Sequence, residues 1–257
     1  MKNYCIASLI LLMCTAVSAE DRTLLAVFAH PDDESTVSPI LARYVREGVD
    51  VTVAIATDGR LGFREHAGIP AGDELAAVRR EEMKCAADEL GVNLVHFEYH
   101  DQLRAAEGYS GHIPHVRALL TDVAELIESL QPDAIITWGP DGGSNHMDHR
   151  LIGDTVVGVY LSRDWGKPIS LYYYGTPASR IEDPEVRARR GVHDDYLNVA
   201  VSYSADDYAA ASASLRCHQS QYTGDEFDNM IGDEAEYGTI YLREFQPPGN
   251  QRTDLFE

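Results

Sequence analysis

Two polar clusters in this chain combine residue types and spacings that suit metal binding and proton transfer. The first reads AHPDDE at residues 29–34, and the second reads HMDH at residues 146–149. Each follows a short apolar run, Leu24–Phe28 or Ala134–Trp138, of the kind that forms a buried strand of a parallel sheet. Open α/β sheets bind ligands beyond the carboxyl ends of their strands, so we expect both clusters at the same functional edge.

The spacing within the clusters suggests a division of labour. A hydrolytic metal site needs about three protein ligands, an open position for water and a base that is not itself a tight ligand. His30 and Asp33 are three residues apart and can face one point on a helical turn, which leaves Asp32 free to take a proton. With His149 they match a zinc hydrolase ligand set. Taken singly, either cluster is also typical of a capped turn or a polar helix start.

Apolar periodicity and turn residues predict the elements that position these clusters. Strands are predicted at Leu24–Ala29, Val49–Ala56, Leu94–Tyr99, Ala134–Trp138, Leu171–Tyr174 and Leu197–Val201, with a late strand or extended tail at Tyr237–Phe245. Helices are predicted at Ser38–Arg46, Glu74–Leu90, Val116–Leu130, Leu151–Leu161 and Ala205–Arg216. Residues 59–72 and 180–195 are predicted as surface segments. This alternation predicts one α/β domain, Rossmann-like, with a mostly parallel sheet and helices on both faces.

The first 19 residues have the features of a signal peptide. Lys2 supplies the positive start, an apolar core follows, and Val17-Ser18-Ala19 fits a cleavage site before Glu20. We therefore predict an exported, periplasmic or secreted protein whose domain covers residues 20–257. An uncleaved anchor is the alternative, and a lipoprotein at Cys14 is disfavoured by its context. Export also permits a disulfide, but the spacing of Cys85 and Cys217 does not decide whether they pair.

Composition and missing motifs exclude several function classes. The formal net charge of −21 and the lack of a basic run argue against nucleic acid and anionic membranes as partners. No HExxH, GxSxG or GxGxxG pattern occurs in a suitable context, which argues against zincin, serine hydrolase and dinucleotide-binding sites. We expect a small-molecule or oligosaccharide substrate and no stable membrane insertion, and the oligomeric state stays open.

Together the two clusters resemble the motifs of the LmbE-like, or PIG-L, superfamily of zinc-dependent N-deacetylases. Further matches follow in the family's order along the chain: Thr57-Asp58-Gly59, Arg79-x-x-Glu82, Asp101-Gln102-Leu103, Pro132-Asp133 and His218-x-Ser220-Gln221. The resemblance implies that His30, Asp33 and His149 bind Zn²⁺, or another divalent transition metal, and that Asp32 is the general base.

The resemblance also implies roles for four further residues. His146 would hydrogen-bond the developing oxyanion or protonate the leaving amine, and Asp148 would orient a histidine of the second cluster. Arg79 and Asp101 would contact substrate. The implied reaction is removal of an N-acetyl group from an amino-sugar-containing substrate. The alternatives are an exported amidase acting on non-sugar N-acyl amines and, in a different class, a non-catalytic metal-dependent glycan-binding protein.

Overall fold

Strand β1, Thr23–Phe28, is an interior strand of the sheet, and the side chains of residues 24–28 are buried. The computed structural model describes residues 22–245, so the predicted signal peptide at residues 1–19 lies outside the described residues. The other strands are β2 Asp50–Thr57, β3 Asn93–Tyr99, β4 Ala134–Trp138, β5 Ser170–Tyr174, β6 Thr176–Pro177, β7 Gly191–Val192, β8 Val199–Ser202 and β9 Thr239–Glu244.

Seven strands form one mixed sheet in the order β3-β2-β1-β4-β5-β9-β8. The first five in this order are parallel, and β9 runs antiparallel to both β5 and β8. The short strands β6 and β7 pair separately. Because β1 and β4 are parallel neighbours, the segments after them leave the sheet at the same edge. This adjacency brings the two polar clusters together.

Helices cover both faces of the sheet, as the sequence predicts. They are α1 Ser38–Arg46, α2 Asp73–Leu90, α3 Tyr109–Leu130, the one-turn α4 Gly142–Asn145, α5 Met147–Leu161, α6 Pro184–Arg190, α7 Ala205–Leu215 and α8 Gly224–Tyr237. Helices α1 and α2 pack with Leu24, Ala26 and Phe28 on one face. Helices α3 and α5 pack with Leu25 and Val27 on the other. The α/β, mostly parallel, Rossmann-like prediction is confirmed.

Several predicted boundaries are wrong for local reasons. Helix α3 begins at Tyr109 rather than Val116, since its first turns are polar and contain Pro114, which hides the apolar period. Helix α5 begins at Met147 rather than Leu151 and therefore includes most of the second cluster. The charged segment 180–195, predicted as a surface excursion, contains α6, and α8 was not predicted at all.

Two further findings concern the chain as a whole. A disulfide joins Cys85 in α2 to Cys217 after α7, with a Cα–Cα distance of 5.8 Å, and so decides the pairing that sequence spacing left open. Within residues 22–245, no helix has the length and apolarity needed to cross a membrane.

Candidate metal and proton-transfer site

The turn after β1 fixes the first cluster through its own backbone. One carboxylate oxygen of Asp33, Oδ2, accepts hydrogen bonds from the backbone N–H groups of Ala29 at 3.0 Å and His30 at 2.9 Å. The chain then enters a single 3₁₀ turn, Asp33–Thr36. The second oxygen, Oδ1, lies 3.1 Å from Nε2 of His149. A four-residue stretch of sequence therefore aims a buried carboxylate at the second cluster.

His30 is oriented by two buried carboxylates on one side of its ring. Its Nε2 lies 3.0 Å from Oδ2 of Asp148 and 3.3 Å from Oδ1 of Asp101. The other ring nitrogen, Nδ1, lies 3.5 Å from Asp33 Oδ2. Burial opposes the charged form of His30, but the hydrogen bonds to Asp101 and Asp148 outweigh it and raise the pKa well above its ordinary value. Nδ1 is thus the nitrogen directed at the shared centre.

His149 is held in the same way as His30, but its two ring nitrogens have exchanged roles. Its Nδ1 hydrogen-bonds the carbonyl of Gly142 at 2.9 Å, which leaves Nε2 beside Asp33. The ring also stacks on Trp138, the last residue of β4, with ring centroids 4.3 Å apart and planes 7° from parallel. The Gly142 backbone has a φ of 62°, and a side chain there would collide with the backbone of Arg150. The turn after β4 therefore fixes the ring on two sides.

These residues fit a divalent metal. Each histidine holds one nitrogen on an acceptor and turns the other to Asp33, as metal-ligating histidines do in proteins. Two imidazoles and one carboxylate are a suitable donor set for zinc and for related transition metals. Within the described residues, ligand atoms of His30, His146 and His149 also lie within 4.8 Å of one another, as do those of His30, Asp101 and Asp148. Neither of these two groups includes Asp33, which instead contacts each of the predicted ligands His30 and His149.

Asp32 stands beside this centre and both of its carboxylate oxygens have partners. Nη2 of Arg79 donates to Oδ1 at 2.8 Å, and the hydroxyl of Tyr222 donates to Oδ2 at 3.2 Å. Burial raises the pKa of Asp32, and Arg79 partly opposes that shift. In contrast, although burial also opposes ionisation of Asp33, His149 and His30 hold the pKa of Asp33 well below its usual range. The two adjacent carboxyls thus have different electrostatic environments.

His146 lies at the exposed side of the site. It caps the start of α5, where its Nδ1 accepts from the backbone N–H of Asp148 at 3.3 Å. Its ring centroid is 5.0 Å from that of His30 and 4.7 Å from that of His149. Burial, and then the two neighbouring histidines, lower the pKa of His146. A neutral imidazole beside the ligand centre is the form these surroundings favour.

Three other predicted site residues occupy places that the sequence did not specify. The carboxylate of Asp148 binds His30, a histidine of the first cluster, rather than one of the second. Asp101 is buried and also accepts from the backbone N–H of Leu61 at 3.0 Å. Arg79 is buried and donates to the carbonyls of Gly59, at 2.9 Å, and Pro31. All three contact residues of the site.

Sequence reasoning missed two aromatic residues of the site. Trp138 was assigned only to a strand, although its end position put it at the functional edge. Tyr222 lies 190 positions from Asp32 in the chain, so only its place directly after His218-x-Ser220-Gln221 offered a signal. Trp138 acts by stacking on His149, and Tyr222 acts by donating a hydrogen bond to Asp32.

The chain is similar in sequence to known proteins. Residues 25–160, more than half of the chain, match the family model of GlcNAc-PI de-N-acetylase, PIG-L. The chain is 29% identical to the 1D-myo-inositol 2-acetamido-2-deoxy-alpha-D-glucopyranoside deacetylase 2 of Catenulispora acidiphila, over 88% of this chain and 90% of the relative.

Solved structures share the fold at low identity. The N,N'-diacetylchitobiose deacetylase of Pyrococcus horikoshii has a TM-score of 0.65 at 20% identity, covering 87% of this chain and 84% of that one. The 4-carboxy-2-hydroxymuconate hydratase of Pseudomonas putida KT2440 also reaches 0.65, at 14% identity, covering 91% of this chain and all of that one. Because a deacetylase and a hydratase share this architecture, the site residues must carry the functional argument.

Proposed function

Since this chain belongs to the GlcNAc-PI de-N-acetylase (PIG-L) family, we propose that it is a metal-dependent hydrolase that removes an N-acetyl group from an amino-sugar-containing substrate. One observation carries the proposal: His30, Asp33 and His149 converge on one centre, with the carboxylate of Asp32 held beside it. The relative from Catenulispora acidiphila and the Pyrococcus horikoshii enzyme are both named as deacetylases of acetamido sugars.

The proposed metal is Zn²⁺, with another divalent transition metal as the alternative, held by His30 Nδ1, Asp33 and His149 Nε2. When bound, such a metal supplies Lewis-acid polarisation of the amide and makes water more acidic. Asp148 and Asp101 hold Nε2 of His30, and Gly142 holds Nδ1 of His149. These contacts fix both ring orientations before any ligand binds.

Proton transfer is assigned to the protein's own groups. Asp32 accepts the proton of the attacking water, and its carboxylate is kept in place by Arg79 and Tyr222. His146, on the open side, hydrogen-bonds the oxyanion that develops on the carbonyl oxygen of the acetyl group. As the C–N bond breaks, Asp32 returns that proton to the amine nitrogen, and acetate is the second product. A non-catalytic glycan-binding protein would have no use for a partly buried carboxylate positioned beside the ligand set.

A substrate panel tests the reaction class. Acetate release is measured with N-acetylglucosamine, its short oligomers and non-sugar N-acyl amides, using wild-type protein and the Asp32→Asn variant as the catalytic control. We expect turnover of at least one acetamido sugar, and its loss in the variant. Turnover of the non-sugar amides alone would overturn the amino-sugar assignment, and no turnover of any amide would overturn the hydrolase assignment.

A specific observation favours the amidase as second candidate. Leu61 and Phe63 after β2, Tyr109 at the start of α3 and Met147 at the start of α5 are large apolar side chains exposed to solvent. All four lie in segments that follow the carboxyl ends of β2, β3 and β4. Of these, Leu61 donates its backbone N–H to Asp101 and Met147 directly follows His146, and apolar side chains at these two places favour an apolar group on the acyl side or the amine side of the substrate. The panel therefore includes amides with short and long acyl chains.

We also propose export of the protein. The supporting observations are the signal-peptide pattern of residues 1–19 and the Cys85–Cys217 disulfide, since disulfides persist in oxidising compartments. N-terminal sequencing of protein from cell fractions tests this proposal. We expect a mature chain that begins at Glu20 outside the cytoplasm. A full-length chain in the cytoplasmic fraction would contradict it.

A further inference from the structure

The backbone of Asp32 has an unusual conformation. Its φ is 115° and its ψ is −19°, in a region that favours glycine and that residues with a side chain rarely adopt. Non-glycine residues persist in such conformations only where the surroundings impose them, and these positions cluster at functional sites. An aspartate does not prefer this backbone conformation, so contacts with other residues must hold Asp32, the proposed general base, in it.

One of these contacts is a buried carboxylate two residues away. The backbone N–H of Asp32 donates to Oε2 of Glu34 at 3.0 Å. The other oxygen of Glu34, Oε1, lies 2.7 Å from Nε2 of His218. The side chains of Glu34 and His218 are both 0% exposed. A buried carboxylate thus connects the strained backbone of Asp32 to a histidine 184 positions away in the chain.

The segment that carries His218 also contacts Asp32 directly. Four residues later, the hydroxyl of Tyr222 donates to the Asp32 carboxylate. Between them, Ser220 is fixed to α2, where both oxygens of Glu82 accept from its backbone N–H at 2.7 Å and its hydroxyl at 2.6 Å. The segment also begins next to the disulfide at Cys217. The segment is therefore held in place. It contacts the side chain of Asp32 through Tyr222, and it is connected to the backbone of Asp32 through His218 and Glu34.

We propose that Glu34 and His218 are positioning residues that hold Asp32 in its strained, reactive orientation. This inference rests on the proposed function, in which Asp32 takes the proton of water. Neither Glu34 nor His218 needs to touch the substrate. Glu34 fixes the peptide of Asp32, His218 fixes Glu34, and Arg79 with Tyr222 fixes the carboxylate.

Glu34→Gln is the central test because it preserves size and removes one acceptor. A glutamine has one oxygen for the two donors, the Asp32 N–H and His218. It could keep both contacts only if His218 moved its proton to Nδ1, a buried atom with no hydrogen-bond partner. The matched control is Glu82→Gln, which makes the same change in a carboxylate that binds the same segment without reaching Asp32.

We expect Glu34→Gln to lower kcat by about 10²-fold, the scale of a small misplacement of a catalytic group, with KM and metal content nearly unchanged. Glu82→Gln should lower kcat much less, because its remaining oxygen can still accept from Ser220 and the disulfide, Glu34 and Tyr222 still hold the segment. His218→Leu should reproduce the Glu34→Gln defect, and His218→Gln, which keeps an N–H donor, should recover much of it. If His218→Leu does not fold, Glu34→Gln and His218→Gln still decide the matter.

A crystal structure of Glu34→Gln gives a readout independent of turnover. We expect residue 32 to leave the positive-φ region in the variant and to keep it in Glu82→Gln. An unchanged backbone at residue 32 would overturn the inference, as would equal kcat values for the two glutamine variants. If the wild type hydrolyses no amide, the proposed function fails, and the backbone comparison still judges whether Glu34 holds the turn.

Discussion

The two sides of the site are built in different ways. The ligand side consists of the proposed ligands His30, Asp33 and His149, which lie in the segments that follow the neighbouring parallel strands β1 and β4. The base side consists of Asp32 together with His218 and Tyr222, which come from a segment near the other end of the chain. Ligand chemistry can thus be encoded in short motifs, whereas the environment of the base depends on long-range contacts.

Removing a ligand should have the largest effect. We expect His30→Ala and His149→Ala to lose bound metal and with it all measurable turnover, since each supplies one of three ligands. His146→Ala should keep its metal and lose activity only in part. Metal content per chain, measured after purification and dialysis, checks this expectation. Loss of metal in His146→Ala would show that the two histidines of the second cluster have been assigned the wrong way round.

Removing the base should affect turnover without affecting the ligand side. Asp32→Asn is expected to lower kcat by about 10²–10⁴-fold, the usual contribution of a general base, while metal content stays at the wild-type level. Asp195→Asn, at an exposed position, is the control for the chemical change. Full activity in Asp32→Asn would remove Asp32 from the mechanism. Joint loss of metal and activity would show that the two sides are not separate.

The disulfide provides a test of how the base side is held. Replacing Cys85 and Cys217 by serine should lower the free energy of unfolding by about 2–5 kcal/mol, because the unfolded chain loses a long-range constraint. The effect on kcat should be small, since Glu82 and Glu34 still bind the segment after Cys217. Chemical denaturation with and without reductant measures the change, and the double variant serves as the control because reductant should not affect it. If reductant changed the free energy of unfolding of the wild type and of the double variant equally, the result would contradict the Cys85–Cys217 disulfide.

A smaller, pH-dependent effect is expected where α7 joins α1. Nε and Nη2 of Arg46 donate to the Asp207 carboxylate at 2.7 Å and 3.0 Å, and this pairing lowers the pKa of Asp207 to about 2. A lowered pKa stabilises the fold above the ordinary carboxyl range, and that stability is lost as pH falls through the range toward about 2.

Because the Arg46 side chain is half exposed, solvent screening keeps this contribution small. Asp207→Asn should therefore flatten the loss of stability between about pH 4 and pH 2, whereas Asp206→Asn on the exposed side should not. Unfolding curves at a series of pH values measure both variants. Identical acid profiles for Asp207→Asn and wild type would contradict the prediction.

The same contrast explains what could be predicted from the sequence. Strands with strong apolar runs, such as β1 and β4, and helix α1 were located because their pattern is local. The closeness of His30, Asp33 and His149 could be predicted from spacing and from where parallel strands end. The role of Glu34 could not follow, because its partner His218 is brought to it only by tertiary structure.

Polar starts of helices were a second source of error. Residues 147–150 carry no apolar period, so α5 was predicted from Leu151, although His146 caps it and Asp148 turns back to His30. The carboxylates of Asp101 and Asp148 likewise serve His30, a contact that no spacing rule indicates. Sequence patterns thus identified the residues of the site better than they identified the partners of those residues.

The central claim is that the chain hydrolyses an acetamido sugar with a metal held by His30, Asp33 and His149. Acetate release from an N-acetylglucosamine oligomer, measured before chelation, after chelation and after addition of Zn²⁺, tests it most directly. The account predicts release by the purified protein, its loss on chelation and its recovery with stoichiometric metal. Release that is unaffected by removal of the metal, or no release in any of the three states, would contradict it.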